Sequence, residues 1–258
     1  FSQAAGGVVG QTLAMEGLFA FFLESSFLYA LVFGERKLSP RAHFASAVLV
    51  WLGSWLSAWF IIVTNAFMQH PVGHAVGADG VIELVSLSAY LTNPWALRQY
   101  AHTMVGSVIT ASFVVAAVGA YYALADRHAA LSALLLRVSL RVGLVATVAA
   151  AFPTGDLQAK MVAEHQPVTF AAMEGHFHDA QGAPLSVIGQ PNVEAMRLDN
   201  PIEIPRLLSV MTHQRLDSEI RGLASLDRDL WPDNVPLLYY SYHLMAGLGT
   251  ILLATMLR

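Results

Sequence analysis

The sequence predicts an all-α fold, a polytopic membrane helix bundle. About five spanning helices are expected, with a partly helical loop ahead of the last. Three observations predict this. Of the 258 residues, 55% are hydrophobic and only 12% charged, where soluble domains carry about 25%. Apolar runs long enough to cross ~30 Å of hydrocarbon recur along the chain. Between the fourth and fifth of them lies one long polar stretch, residues 153–235, with 12 acidic and 6 basic residues. Three regions are therefore expected: four spanning helices within 1–152, an extracytoplasmic loop over 153–235, and a fifth span over 236–258.

The totals also exclude chemistries. A net charge of -4 leaves no basic surface for nucleic acid. With no cysteine, disulfides, thiolate metal sites and a Cys nucleophile are ruled out. Any metal must be held by His, Met or carboxylate. The chain opens on Phe1 with no signal-peptide pattern and stops at Arg258 directly after an apolar run. It reads as the middle of a longer polypeptide.

The first span, about 10–34, holds Glu16 and Glu24. A charge in hydrocarbon is expensive, so intramembrane acids usually face protein and carry protons or ions. In an ideal helix the two are separated by about 12 Å along the axis and about 80° around it, at two depths on one side, as a proton relay requires. The basic turn 34–43 leads to a second span, about 44–67, containing Ser54 and Ser57. Ser57 is a candidate to extend a path from Glu24, although a lone helix serine more often bonds to its own helix carbonyl. Segment 68–99 is a polar connection whose VIELVSLSAYL reads as a short helix ended by Asn93-Pro94.

The third span is about 100–125 and opens with His102. The turn Asp126–His128 leads into the fourth, about 129–152, which contains Arg137 and Arg141. These face protein or snorkel. Basic residues in the turns 34–43 and 126–128 place both on the cytoplasmic side, so 68–99 and 153–235 lie outside. Within 153–235, residues 160–177 and 204–223 show helical apolar spacing. The fifth span, about 236–257, holds His243 and Met245. A Met in an apolar helix is usually core filler, but a His and a Met on separate helices at similar depth also form a haem ligand set.

The motifs LAMEGLFAFFLESSF (13–27), NAFMQHPVG (65–73), IELVSLSAYLTNP (82–94), YAHT (100–103), QPVTFAAMEG (166–175) and YYSYHLMAGLGT (239–250) resemble subunit I of cytochrome bd-type ubiquinol oxidases, in order and over nearly the whole chain. The phrase WPDNVPLLYYSYHLMAGLGT and the short outer segment are most similar to the cyanide-insensitive branch.

The resemblance implies a quinol:oxygen oxidoreductase of the bacterial cytoplasmic (inner) membrane. His102 and Met245 match the axial ligands of a low-spin haem b. Glu16, Glu24 and Ser57 match the proton path, and Glu174 the quinol-oxidising glutamate of the outer loop. A second haem b and a haem d, or a further haem b, are implied, with ligands outside this stretch. Implied partners are quinol, oxygen, lipid, a second membrane subunit and a small single-helix subunit. Two departures stand out: a family lysine paired with the glutamate is Thr169 here, and an arginine before the haem methionine is His243. Two rival readings are a haem-free proton-coupled transporter and a b-type cytochrome passing electrons to another protein.

Overall fold

A computed structural model describes residues 2–257. Five helical stretches are long and apolar enough to cross a membrane: Ala4–Phe33, Pro40–Gln69, Leu87–Leu124, Ala129–His165 and Val235–Met256. The expected all-α membrane bundle is what the chain forms. The contacts divide it into two compact units, residues 1–104 and 105–258.

In the first unit, α1 (Ser2–Met15) runs into a π-helical turn (Glu16–Phe21) and then α2 (Phe22–Phe33). The ideal α-helix expected between Glu16 and Glu24 is therefore interrupted. The wider i→i+5 turn changes their relative angle, and such turns concentrate at functional positions. Helix α3 (Pro40–Gln69) packs along both halves of this span. Its start is set by Ser39, whose hydroxyl accepts from the Ala42 amide, and by Pro40 at the first helical position.

Segment 68–99 differs from the expected helix. Residues His74–Val76 (β1) and Ile82–Leu84 (β2) pair as an antiparallel hairpin, and of the helix expected over 81–91 only Leu87–Leu91 (α4) forms. The β-branched and apolar residues of VIEL favour an extended ladder, and Ser86 caps the short helix that follows. Asn93 then accepts from the Trp95 amide and donates to the His70 carbonyl, tying the start of α5 (Pro94–Leu124) to the end of α3. Tyr90 is fully buried and shares hydrogen bonds with Thr12, which also meets Thr64 at 2.6 Å. These hydroxyls fix α4 against α1 and α3.

The second unit takes over within α5. Helix α6 (Ala129–Ala149) turns its small residues inward: Ser132, Ser139, Gly143, Ala146 and Thr147 are buried. The helix then kinks. Phe152 is extended (φ -114°, ψ 147°) ahead of Pro153 within a second π-type turn, Ala150–Gly155, because the residue before proline is driven out of the α region. The expected helix over 160–177 is two helices, α7 (Asp156–His165) and α8 (Pro167–Glu174). Proline 167 has no amide hydrogen and forces the break at Gln166.

Strands were not expected in the long segment. Ala180–Gln181 (β3) pairs with Glu219–Ile220 (β6), and Leu185–Asn192 (β4) with Arg197–Ile204 (β5). The helix expected over 204–223 is confined to α9 (Leu207–His213), since residues 219–220 join the β3 ladder. Helix α10 (Val235–Met256) ends the chain, with Asn234 capping Leu237. Beneath α8 sits a core of Val168, Ala171, Ala172, Phe177, Leu223 and Val235, which anchors the long segment to the start of α10.

Candidate functional site

Two candidate sites emerge, one in each unit. In the first, Ser57 on α3 donates a 2.9 Å hydrogen bond to Glu16 Oε1. Neither of the sequence expectations for Ser57 anticipates this bond: its partner is Glu16 rather than Glu24, and it is not bonded to its own helix. Glu24 lies one α3 turn away, where its backbone packs on Gly53. A Cβ at Gly53 would fall 2.9 Å from the Glu24 amide nitrogen. The close approach leaves room for glycine alone. Both glutamates are half-buried within the chain. Two intramembrane carboxylates beside a hydroxyl can exchange protons through short hydrogen-bonded steps.

His102 is half-buried on α5 in the first unit, and Met245 is 54% exposed on α10 in the second. Imidazole and thioether are a donor set that suits a porphyrin iron, which needs only axial ligands from the protein. Two residues before Met245, His243 places Nδ1 2.9 Å from the Tyr239 carbonyl and Nε2 2.8 Å from the Ser186 carbonyl. This joins α10 to β4.

The second site is built around Glu174, the last residue of α8. Gly175 follows in the left-handed region (φ 63°), which glycine adopts without cost. A Cβ there would meet the Tyr239 ring at 2.8 Å. Glycine therefore lets α8 end directly against α10, with Glu174 only 3% exposed. The Tyr242 hydroxyl donates to its carboxyl group. Its second oxygen, Oε2, has no hydrogen-bond partner among the described residues, and neither has the buried hydroxyl of Tyr239.

Burial pushes the Glu174 carboxyl up to about 7, opposed by the Tyr242 hydrogen bond. A carboxyl poised near neutrality with an unpaired oxygen is suited to general acid–base work. His176, two residues on, is held below the usual histidine range, chiefly by burial, while its contact with the Ile220 carbonyl works the other way. A shallow, open depression lies at the start of α10. It is lined by Val193, Trp231 and Val235, which also belong to the apolar core under α8.

Sequence reasoning singled out Glu174 but missed Tyr239 and Tyr242. Their spacing gave a signal: Tyr239 and Tyr242 are three apart on one helix face, within the YYSYHLM motif. Tyrosines at the end of a spanning helix read as interfacial anchors, which masked it.

The sequence matches the family described as cytochrome bd terminal oxidase subunit I over residues 1–258. This chain belongs to that family. It is 28% identical over 263 residues to cytochrome bd ubiquinol oxidase subunit 1 of Bacillus subtilis (strain 168), covering 98% of this chain and 56% of that protein. It is 32% identical over 234 residues to cytochrome bd-II ubiquinol oxidase subunit 1 of Escherichia coli (strain K12), covering 90% and 45%. The solved structure of bd oxidase from Geobacillus thermodenitrificans superposes with a TM-score of 0.88 at 30% identity, covering 99% of this chain and 58% of that one. The chain thus spans about half the length of the curated relatives it matches. As a bd oxidase subunit I family member with five spanning helices, it is a multi-pass membrane protein.

Proposed function

We propose that this chain forms the quinol-oxidising part of a terminal oxidase in the bacterial cytoplasmic membrane, oxidising ubiquinol or menaquinol at the outer face and reducing oxygen to water with protons from the cytoplasm. The observation that carries this reading is Glu174: a buried carboxyl, titrating near 7, with one oxygen unpaired. Family membership supplies the reaction class. Residues 153–235 form the extracytoplasmic quinol-binding loop in this reading, joined to four spanning helices within 1–152 and a fifth over 236–258.

Glu174 Oε2 accepts the proton of a quinol hydroxyl while Tyr242 holds the other carboxyl oxygen. The proton then leaves to the outer side. By the family resemblance, His102 and Met245 would hold a low-spin haem b, which would supply one-electron acceptance from the quinol. Glu24 takes protons arriving from the basic turn 34–43 and passes them to Glu16, which Ser57 orients by hydrogen bond. Proton release on one side and uptake on the other charges the membrane without a pump. In this reading a second haem b and a haem d, or a further haem b, with a second membrane subunit and a small single-helix subunit, would complete the oxidase.

The test is the pyridine haemochrome spectrum of the full oxidase together with its oxygen uptake on a quinol analogue. Haem b with quinol-driven oxygen uptake is expected. Absence of haem would favour a proton-coupled transporter, and haem without oxygen uptake a b-type cytochrome serving another protein.

A further inference from the structure

Two buried oxygens where α8 meets α10 have no hydrogen-bond partner among the described residues: Glu174 Oε2 and the Tyr239 hydroxyl. Glu174 is 3% exposed and Tyr239 1%. Buried polar atoms are almost always paired, because leaving one unpaired is costly, and each exception calls for an explanation such as a catalytic role.

The two groups are neighbours. The edge of the Tyr239 ring lies against Gly175, where a Cβ would come within 2.8 Å of Cε2, and Gly175 directly follows Glu174. The carboxyl and the hydroxyl also act on each other electrostatically. On its other side Tyr239 stacks on His243, with ring centroids 3.9 Å apart. Both imidazole nitrogens there are taken up by the Tyr239 and Ser186 carbonyls, and the other oxygen of Glu174 is held by Tyr242.

The unpaired atoms are also chemically complementary. A phenol at neutral pH has a proton to donate, and an ionised carboxylate only accepts. One hydroxyl group satisfies both at once, donating to Oε2 and accepting from Tyr239. No ion pair among the described residues involves Glu174, so a neutral donor is the group at hand for the anion that deprotonation leaves.

We propose that Tyr239 is a second substrate-contacting residue of the quinol site, its hydroxyl donating to the same quinol oxygen whose proton passes to Glu174. The quinol O–H bond breaks, an O–H bond forms on Oε2, and the bonding electron pair stays on the quinol oxygen as a quinolate. Tyr239 then donates to a charged oxygen instead of a neutral one, and its hydrogen bond strengthens. The hydroxyl thus acts as an oxyanion donor. The inference rests on the quinol-oxidase reading of Glu174. Both oxygens are covered by protein here, so seating the quinol hydroxyl between them requires α8 and α10 to part at the Gly175 contact.

The test uses the full oxidase in its native membrane, the Tyr239→Phe variant and a series of quinol analogues of graded acidity. Phenylalanine keeps the ring and removes an unpaired hydroxyl, so the variant melts no lower than native protein. On the least acidic quinol kcat falls about 10–100-fold, toward the low end for an oxyanion donor because a quinolate spreads its charge. KM changes by less than about threefold, since the hydrogen bond gains its strength only as charge develops. The deficit shrinks to about twofold for the most acidic quinols, whose anions need less help. Oxygen uptake from an artificial one-electron donor is unchanged. Native kcat, a deficit of equal size across the series, an equal loss with the one-electron donor, or a lowered melting point overturns the inference and leaves the quinol reading intact. Native oxidase without quinol-driven oxygen uptake overturns both.

Discussion

Replacing Glu174 with glutamine separates the chemistry of this carboxyl from its packing. The amide fills the same volume and still accepts from Tyr242, but it cannot take a proton. General-base assistance contributes about 10²–10⁴ in rate, so quinol oxidation at pH 8 falls by at least ~100-fold. The native carboxyl titrates at about 7, so at pH 5 roughly one group in 100 is ionised, and the gap between native and variant closes to a few-fold. Stability moves the opposite way. The unfolded carboxyl titrates near 4.5 and the folded one at about 7. Between those values the folded state keeps a proton the unfolded chain has lost. Its contribution is therefore full below pH 4.5 and is lost as pH rises through 7, a swing of about 3 kcal/mol. Glu174→Gln removes that penalty and is more resistant to heat than native protein at pH 8, with the difference shrinking toward pH 4.5. The assays are oxygen uptake by the full oxidase from a quinol analogue and from an artificial one-electron donor over pH 5–9, beside thermal melting at pH 5 and 8. Equal losses with both donors, or a midpoint near 7 surviving in the glutamine variant, would refute the reasoning.

Other substitutions probe the neighbours. Tyr242→Phe removes the hydrogen bond that favours the Glu174 carboxylate, so the acid limb of the quinol-oxidation profile moves to higher pH; an unmoved limb would show that the hydroxyl does not tune Glu174. Gly175→Ala strains a residue at φ 63° and drives a methyl into the Tyr239 ring, costing about 1–3 kcal/mol; thermal melting should drop by several degrees, and an unchanged melting point would contradict the packing. Ser57→Ala takes away the Glu16 hydrogen bond and should slow oxygen reduction several-fold with haem content unchanged, as read by oxygen uptake per haem; full turnover would leave Ser57 outside the proton path.

The five spanning helices were legible in the sequence because runs of about 20 apolar residues have few other soluble solutions. The π turn at Glu16–Phe21 was not, since EGLFAF has the composition of the α-helix around it and no proline marks it. The β4–β5 hairpin was hidden for a related reason: Gly189, Pro191 and Pro201 interrupt the alternation that would announce a strand. Helices α7 and α8 merged in the reading although Pro167 marked the break. At the candidate site, Glu174 showed itself through its motif. The orphaned oxygen and the Tyr242 hydrogen bond depend on how α8 meets α10 across the 60 intervening residues, which no local pattern encodes. Ser57 pairs with Glu16 because of where α3 lies against the first span, again a tertiary fact.

The reduced-minus-oxidised visible spectrum of the full oxidase carrying His102→Ala, and separately Met245→Ala, tests the account most directly. Loss of the low-spin b-haem band in both variants, with quinol-driven oxygen uptake abolished, is the predicted result. A native band in either would contradict the account.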